Sequence, residues 1–241
     1  MNLHNIPTHI LTGFLGVGKT SMMLALLKQR PVNEKWVILV NEFGELGVDG
    51  AILESNVSHN AGAYIKEVPG GCMCCAAGAP MRVTLNALLK QSKPDRLFIE
   101  PTGLGHPKEV LSILQSEHYR DVLAIQPVVT LVDARQLSDQ RYTSHAIFNQ
   151  QIEIAEIVIG NKLDLYSQDD KDELTYYLKT KNPKARVIFA NHGQVELAAI
   201  AGSHFTKTHI QPLLHDTHSI KPKTSEPPAG FKSKTFTFPQ E

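Results

Sequence analysis

Apolar residues fall along the chain in short blocks of two kinds. His9–Thr12, Trp36–Val40, Arg96–Glu100, Pro127–Val132, Ile157–Gly160 and Arg186–Ala190 are brief runs rich in aliphatic and β-branched side chains. Runs of that length without polar alternation predict strands buried on both faces. Between them, Ser21–Lys28 is apolar all round, and stretches near 81–90, 107–116, 144–153 and 170–180 carry helical spacing. Strand and helix in turn predict an α/β fold: a mostly parallel sheet with helices on both faces. The interval Asn41–Ala79 fits that rhythm poorly, because it is rich in Gly and carries Glu42, Glu45 and every Cys. It reads as an inserted loop region, the kind of segment that function occupies. Past residue 206 the pattern decays into a stretch containing His209, Pro212, His215, His218, Pro222, Pro227 and Pro228, which reads as a linker. Lys234–Phe238 then alternates like an opening strand, and a single strand cannot bury its own face. The expected organisation is therefore one domain over residues 1–205, a linker over 206–232, and the start of a truncated or missing second domain over 233–241.

Composition narrows the function classes. Lys plus Arg and Asp plus Glu number 24 each, so no net field draws the chain to nucleic acid or to an anionic membrane. No run of 18 apolar residues exists, and Met1–Thr8 has neither a basic nor an apolar leader segment, which predicts a cytoplasmic protein. All three cysteines fall within Cys72-Met73-Cys74-Cys75, a crowded set that suits a reduced compartment and a metal better than a disulfide framework.

Three motifs point to a nucleotide. Gly13-Phe14-Leu15-Gly16-Val17-Gly18-Lys19-Thr20 leaves a predicted strand and opens a predicted helix, the context in which G-x-x-x-x-G-K-[ST] cradles phosphate. The backbone N–H groups of Gly16, Val17, Gly18, Lys19 and Thr20, with Ser21 following, would wrap the β-phosphate at the helix start. Lys19 would bridge the β- and γ-phosphates, and the Thr20 hydroxyl would hold Mg²⁺. Asn161-Lys162-Leu163-Asp164 ends another predicted strand about 140 residues further on. The Asp164 carboxylate suits the two donors on guanine's pairing edge, where adenine offers neither. Asn161 would tie the base to the phosphate loop, and the Lys162 stem would cover its face. Glu100-Pro101-Thr102-Gly103 ends a third strand; Glu100 suits an indirect, water-mediated contact to Mg²⁺, and Gly103 can offer its N–H to a γ-phosphate.

The remaining chemistry is soft. Cys72, Cys74 and Cys75 on a glycine-flanked backbone suit tetrahedral Zn²⁺, and the same softness suits Cu(I). A redox disulfide and bystander thiols are the other readings, while an iron–sulfur cluster lacks its fourth cysteine. Asn41–Asp49 brings three carboxylates, of which Glu42 or Glu45 could complete the metal site and Asp49 could approach the Mg²⁺ water shell or an attacking water. No residue is an evident catalytic base or arginine finger, so unaided hydrolysis is expected to be slow. A nucleotide-dependent kinase or ligase and a nucleotide-independent metal store are the rival classes.

Taken together, GFLGVGKT, NEFGELGVDG, GGCMCC, EPTGLGHP and NKLD resemble the CobW-type family of P-loop GTPases, relatives of the nickel-insertion GTPases for urease and hydrogenase. The likeness runs from about Pro7 to Gly193, with the motifs in order. It implies a SIMIBI-like P-loop fold and a GTP-gated metallochaperone that hydrolyses GTP and delivers Zn²⁺, or a similar ion, to a client metalloprotein. Carried onto this sequence, it implies Gly18, Lys19 and Thr20 for phosphate and Mg²⁺, Cys72, Cys74 and Cys75 for the transferred ion, Glu100 for the nucleotide's metal, and Asn161 and Asp164 for guanine. Members of that family usually continue into a smaller β-rich domain that serves partner docking and oligomerisation, so a homo-oligomer stays open.

Overall fold

The computed structural model describes residues 3–40, 63–67, 79–103 and 105–202, all within the compact unit Met1–Phe205. Its frame is a parallel sheet. β1 (Ile6–Gly13) runs at the centre, followed by α1 (Lys19–Leu27), β2 (Trp36–Val40), β3 (Ala63–Glu67), α2 (Ala79–Ser92), β4 (Arg96–Glu100) and α3 (Pro107–Leu114). The chain continues through β5 (Leu123–Ile125), β6 (Val129–Val132), α4 (Gln140–Thr143), α5 (Ala146–Ile154), β7 (Ile157–Asn161), α6 (Gln168–Lys181), β8 (Arg186–Ala190) and α7 (Leu197–Ile200). Across the sheet the order is β3-β2-β4-β1-β6-β7-β8, with β5 also against β1, and every ladder is parallel.

The uninterrupted apolar blocks become strands because both sheet faces are covered. On one face Met81, Leu85 and Leu89 of α2 and Val110 and Leu114 of α3 pack on Ile10, Val37, Leu39, Leu97 and Ile99. Further along that face, Phe148 and Ile152 of α5 and Leu174 and Leu178 of α6 close over Val132 and Val158. On the other face Met22, Met23 and Leu26 of α1 and Ile200 of α7 cover Leu11, Ile38, Phe98, Leu131 and Ile159.

The sequence expectation differs at three places. β3 lies inside the interval read as an inserted loop; it pairs residue for residue with β2, Ala63 beside Trp36 through Glu67 beside Val40. Its AYIKE sequence mixes polarity because it ends the described sheet order, with Tyr64 half exposed beneath the Lys35 ammonium. The strand expected over Pro127–Val132 appears as β6, starting two residues later, and a short strand not expected from the sequence, β5, precedes it: β5 pairs with the first half of β1, β6 with the second, and Pro127, with no N–H, stands between them. α4 and α7 are one-turn helices too short to leave a periodic signal. Among the described residues no helix is long and apolar enough to cross a membrane.

Candidate functional site

Parallel strands deliver their ends to one edge of the sheet, and the residues singled out from the sequence converge there. β1 ends at Gly13, β4 at Glu100, β6 just before Asp133, β7 at Asn161 and β8 just before Asn191.

The loop Gly13–Lys19 turns on three glycines with positive φ, at 147° for Gly13, 71° for Gly16 and 99° for Gly18. A Cβ at Gly13 would press on the Leu131 carbonyl at 2.8 Å, and one at Gly18 would strike the Asn161 amide nitrogen. Gly18 is also the left-handed N-cap of α1, and no side chain caps that helix start. Its first N–H groups therefore face the loop's interior, where an anion is favoured. Lys19 folds back into the same space, donating from Nζ to the carbonyls of Gly13 at 3.1 Å and Phe14 at 3.2 Å. Burial lowers the Lys19 pKa, while the charge of Glu100 works the other way. The ammonium is thus held by two carbonyl oxygens of the loop itself. Glu100 is 5% exposed at the end of β4. With the Thr20 hydroxyl in the first turn of α1 it gives a hard-oxygen donor set, which fits Mg²⁺.

The segment after Glu100 returns to this loop. Gly103 is seated so closely that a Cβ would meet Leu15 Cδ2 at 2.8 Å, the Leu15 nitrogen at 3.1 Å and the Phe14 carbonyl carbon at 3.2 Å. Phe14 is wedged edge-on among Tyr142, His145 and Phe148.

The second strand-end motif is bonded to the first. Asn161, 1% exposed, donates from Nδ2 to the Val17 carbonyl at 2.9 Å, and its Oδ1 accepts the Gly193 N–H at 2.9 Å. Lys162 adopts a left-handed backbone, φ 64° and ψ 38°, and its ammonium meets Asp133 Oδ2 at 3.1 Å. Asp133 also takes a bidentate pair from Arg135, at 2.9 and 2.7 Å. Burial alone would raise the Asp133 pKa, but hydrogen bonds and charge from Arg135 and Lys162 outweigh it and hold the carboxyl below its ordinary range. Asp164 is exposed, and its N–H donates to Asn191 Oδ1 at 2.7 Å.

Asp133, Asn191 and Gly193 are the residues that sequence reasoning missed. Their one sequence signal is position, since Asp133 and Asn191 directly follow expected strands. Glu42, Glu45, Asp49, Cys72, Cys74 and Cys75 lie outside the described residues. Among the described residues no three His, Cys, Asp or Glu gather into a metal-holding group.

The family defined as CobW/HypB/UreG, nucleotide-binding domain, matches residues 7–189. The zinc chaperone YeiR of Escherichia coli (strain K12) is 44% identical over 189 residues, covering 78% of this chain and 56% of that protein. The zinc chaperone CobW of Sinorhizobium sp is 28% identical over 228 residues, covering 83% of this chain and 63% of that one. This chain therefore spans less than two thirds of either relative. Among solved structures, the Zn(II)-bound YjiA GTPase from E. coli superposes with a TM-score of 0.60 at 22% identity, over 83% of this chain and 61% of that one, a likeness of fold.

Proposed function

We propose that this chain, which belongs to the CobW/HypB/UreG family of nucleotide-binding domains, is a GTP-hydrolysing metallochaperone: it takes up Zn²⁺, or a similar transition ion, according to its nucleotide state and passes it to a client protein. One observation carries the nucleotide half of this reading. Asn161 bonds the NKLD strand end to the phosphate loop, so base and phosphates are read by one rigid unit. Asp164 selects guanine, and the Lys162 stem, steadied by Asp133, covers the base. The N–H groups from Gly16 to Ser21 take the phosphates, and Lys19 exchanges its two carbonyl acceptors for phosphate oxygens. Thr20 and, through water, Glu100 would hold Mg²⁺, which would supply positive charge to offset the negative charge developing in phosphoryl transfer. Gly103 gives its N–H to the γ-phosphate, and Asp49 stands with the attacking water. Hydrolysis is slow because no arginine finger assists it.

The metal half is supported by register. Glu67, Val40 and Glu100 are level on three adjacent strands, so the acidic segment after Val40 and the cysteine segment after Glu67 depart roughly 5 and 10 Å from the Glu100 backbone. Cys72, Cys74, Cys75 and Glu45 take the ion as cargo, and loss of the γ-phosphate loosens that set. The zinc-chaperone names of the relatives support the choice of ion.

The decisive experiment titrates the purified protein with Zn²⁺ in the presence of a non-hydrolysable GTP analogue and of GDP. Zn²⁺ affinity should be about 5- to 150-fold tighter with the analogue, and Zn²⁺ should tighten the analogue by the same factor. Cys74→Ala should abolish the difference while leaving guanine nucleotide binding intact. Equal zinc affinities in the two nucleotide states would overturn the gating.

A further inference from the structure

Gln151 is 1% exposed in the middle of α5, where a polar side chain is costly unless fully paired. Among the described residues its carboxamide is paired only on one side: Nε2 donates to the Gly103 carbonyl at 3.0 Å, while Oε1 is buried with no hydrogen-bond partner among them. Exchanging the amide's nitrogen and oxygen would set two acceptors against each other at Gly103, so the carbonyl fixes the orientation. The helix backbone at the same residue is pinned as well. Thr130 gives its hydroxyl hydrogen to the Gln151 carbonyl at 2.9 Å, so in the 2.8 Å contact between Thr12 and Thr130 the donor must be Thr12. One residue thereby touches both walls of the phosphate site: β1 just before the loop, through Thr12 and Thr130, and the strand-end segment after Glu100, through Gly103. Phe14, wedged against His145 and Phe148 around α5, ties the loop itself to the same helix.

We infer that Gln151 is a positioning residue that sets the orientation of the Gly103 peptide and, through it, the preference for triphosphate over diphosphate. A carboxamide presents a donor and an acceptor on one planar group. With the Gly103 carbonyl turned inward, as here, Nε2 holds it. When the Gly103 segment turns to present an N–H to the γ-phosphate, the second face of the carboxamide, Oε1, is already in place to hold a backbone N–H of that segment. The unpaired acceptor is thus the half of the pair used in the triphosphate state, which explains why a buried orphan oxygen is kept at this position. This inference rests on the reading of Gly103 as the γ-phosphate contact.

The test uses the full chain and two variants, Gln151→Met, which keeps length and burial but removes both polar atoms, and Gln151→Glu, which keeps the acceptor only. Affinities for GDP·Mg²⁺ and for a non-hydrolysable GTP analogue with Mg²⁺ are measured beside thermal unfolding without nucleotide. In Gln151→Met the analogue should weaken by about five- to tenfold, the worth of one ordinary hydrogen bond, while GDP stays within about twofold; the unfolding temperature should fall only modestly, because relief of the orphan oxygen offsets part of the cost of leaving the buried Gly103 carbonyl without its donor. Gln151→Glu should also lose the preference, because a carboxylate repels the Gly103 carbonyl. Equal weakening of both nucleotides, or lowered unfolding temperature with the preference intact, would show a merely structural residue and overturn the inference. If neither variant folds, the wild type decides. Gly103-Leu104 is the one Gly–Leu pair in the sequence, so ¹³C-carbonyl glycine with ¹⁵N-leucine gives a single reporter of that carbonyl. Its signal must differ between GDP and the analogue, and an unchanged signal would overturn the inference. Failure of the parent reading looks different: the wild type itself would show no preference for the triphosphate.

Discussion

Asn161→Ala removes the side chain on which the two nucleotide motifs meet. It deletes the 2.9 Å bond to the Val17 carbonyl and the 2.9 Å bond from the Gly193 N–H. Both backbone groups lie in the interior, with Val17 2% exposed and Gly193 buried, so water does not replace the lost partner. A buried polar group left unsatisfied costs about 1–3 kcal/mol, so the pair together should cost roughly 2–6 kcal/mol. Against a total stability on the order of 5–15 kcal/mol, that is a large fraction. Denaturant unfolding without nucleotide, fitted by linear extrapolation, reads the loss directly, and the slope should not change, because the surface exposed on unfolding is the same. Asn161→Asp sharpens the test. A carboxylate still accepts from Gly193 but faces the Val17 carbonyl with a second acceptor, so its folded pKa is raised above the unfolded value. Its stability is then greatest below the unfolded carboxyl pKa, where a protonated oxygen donates to Val17, and is lost as pH rises through the folded pKa. A loss below about 1 kcal/mol in Asn161→Ala would refute the claim that this amide fastens the two motifs together.

Other expectations follow from the same geometry. Gly18→Ala forces a side chain into a backbone at φ 99° and into the Asn161 amide, so nucleotide affinity should fall by more than about tenfold, measured by GDP titration, with helix content unchanged. Asp133→Asn leaves Lys162 and Arg135 without their counter-charge. Because those two side chains are about a third exposed, the stability loss should be only about 1–2 kcal/mol by denaturant unfolding, with a matching drop in guanine nucleotide affinity. His9 is wholly buried, its Nε2 2.9 Å from Arg96 Nη1, and burial followed by the Arg96 charge lowers its pKa from 6.5 to about 3. Between those values the unfolded chain binds the extra proton, so stability falls as pH drops below 6.5; at about pH 5 it should be roughly 2 kcal/mol lower than at neutral pH, and His9→Gln should flatten that slope in urea melts.

How much of this the sequence disclosed depended on locality. Trp36–Val40, Arg96–Glu100 and Arg186–Ala190 emerge with the expected bounds, because a strand covered by helices on both faces needs an unbroken apolar run. The phosphate loop is equally local, since eight consecutive residues state its chemistry. β3 was hidden because, at the end of the described sheet order, it tolerates Tyr64 and Lys66 facing outward, and β5 because three residues make no pattern. Asp133, Asn191, Gly193 and Gln151 were hidden for a different reason. Each acts on a residue 27 to 48 positions away, through bonds that exist only once the strand ends are gathered. Gln151 is the hardest to read from sequence, since a Gln in an amphipathic helix looks like a solvated face until the fold buries it.

The energies at the strand ends also bear on whether nucleotide state could govern metal affinity. A coupling of about 5- to 150-fold corresponds to roughly 1–3 kcal/mol, the net worth of one or two hydrogen bonds. Bonds of that size sit where the γ-phosphate would arrive: the two from Lys19 to the loop carbonyls and the one from Gln151 to Gly103. Glu100 ends the strand that leads into that segment, and its charge favours the Lys19 ammonium. Moving Lys19 onto phosphate therefore changes the field at the end of β4, one strand from where the acidic segment departs and two from where the cysteine segment departs. No large domain movement is required for such a switch. Re-partnering three hydrogen bonds within one sheet edge would match the free energy that the proposed coupling needs, so Lys19→Met should uncouple zinc affinity, read by titration, from nucleotide state while leaving the thiolates in place.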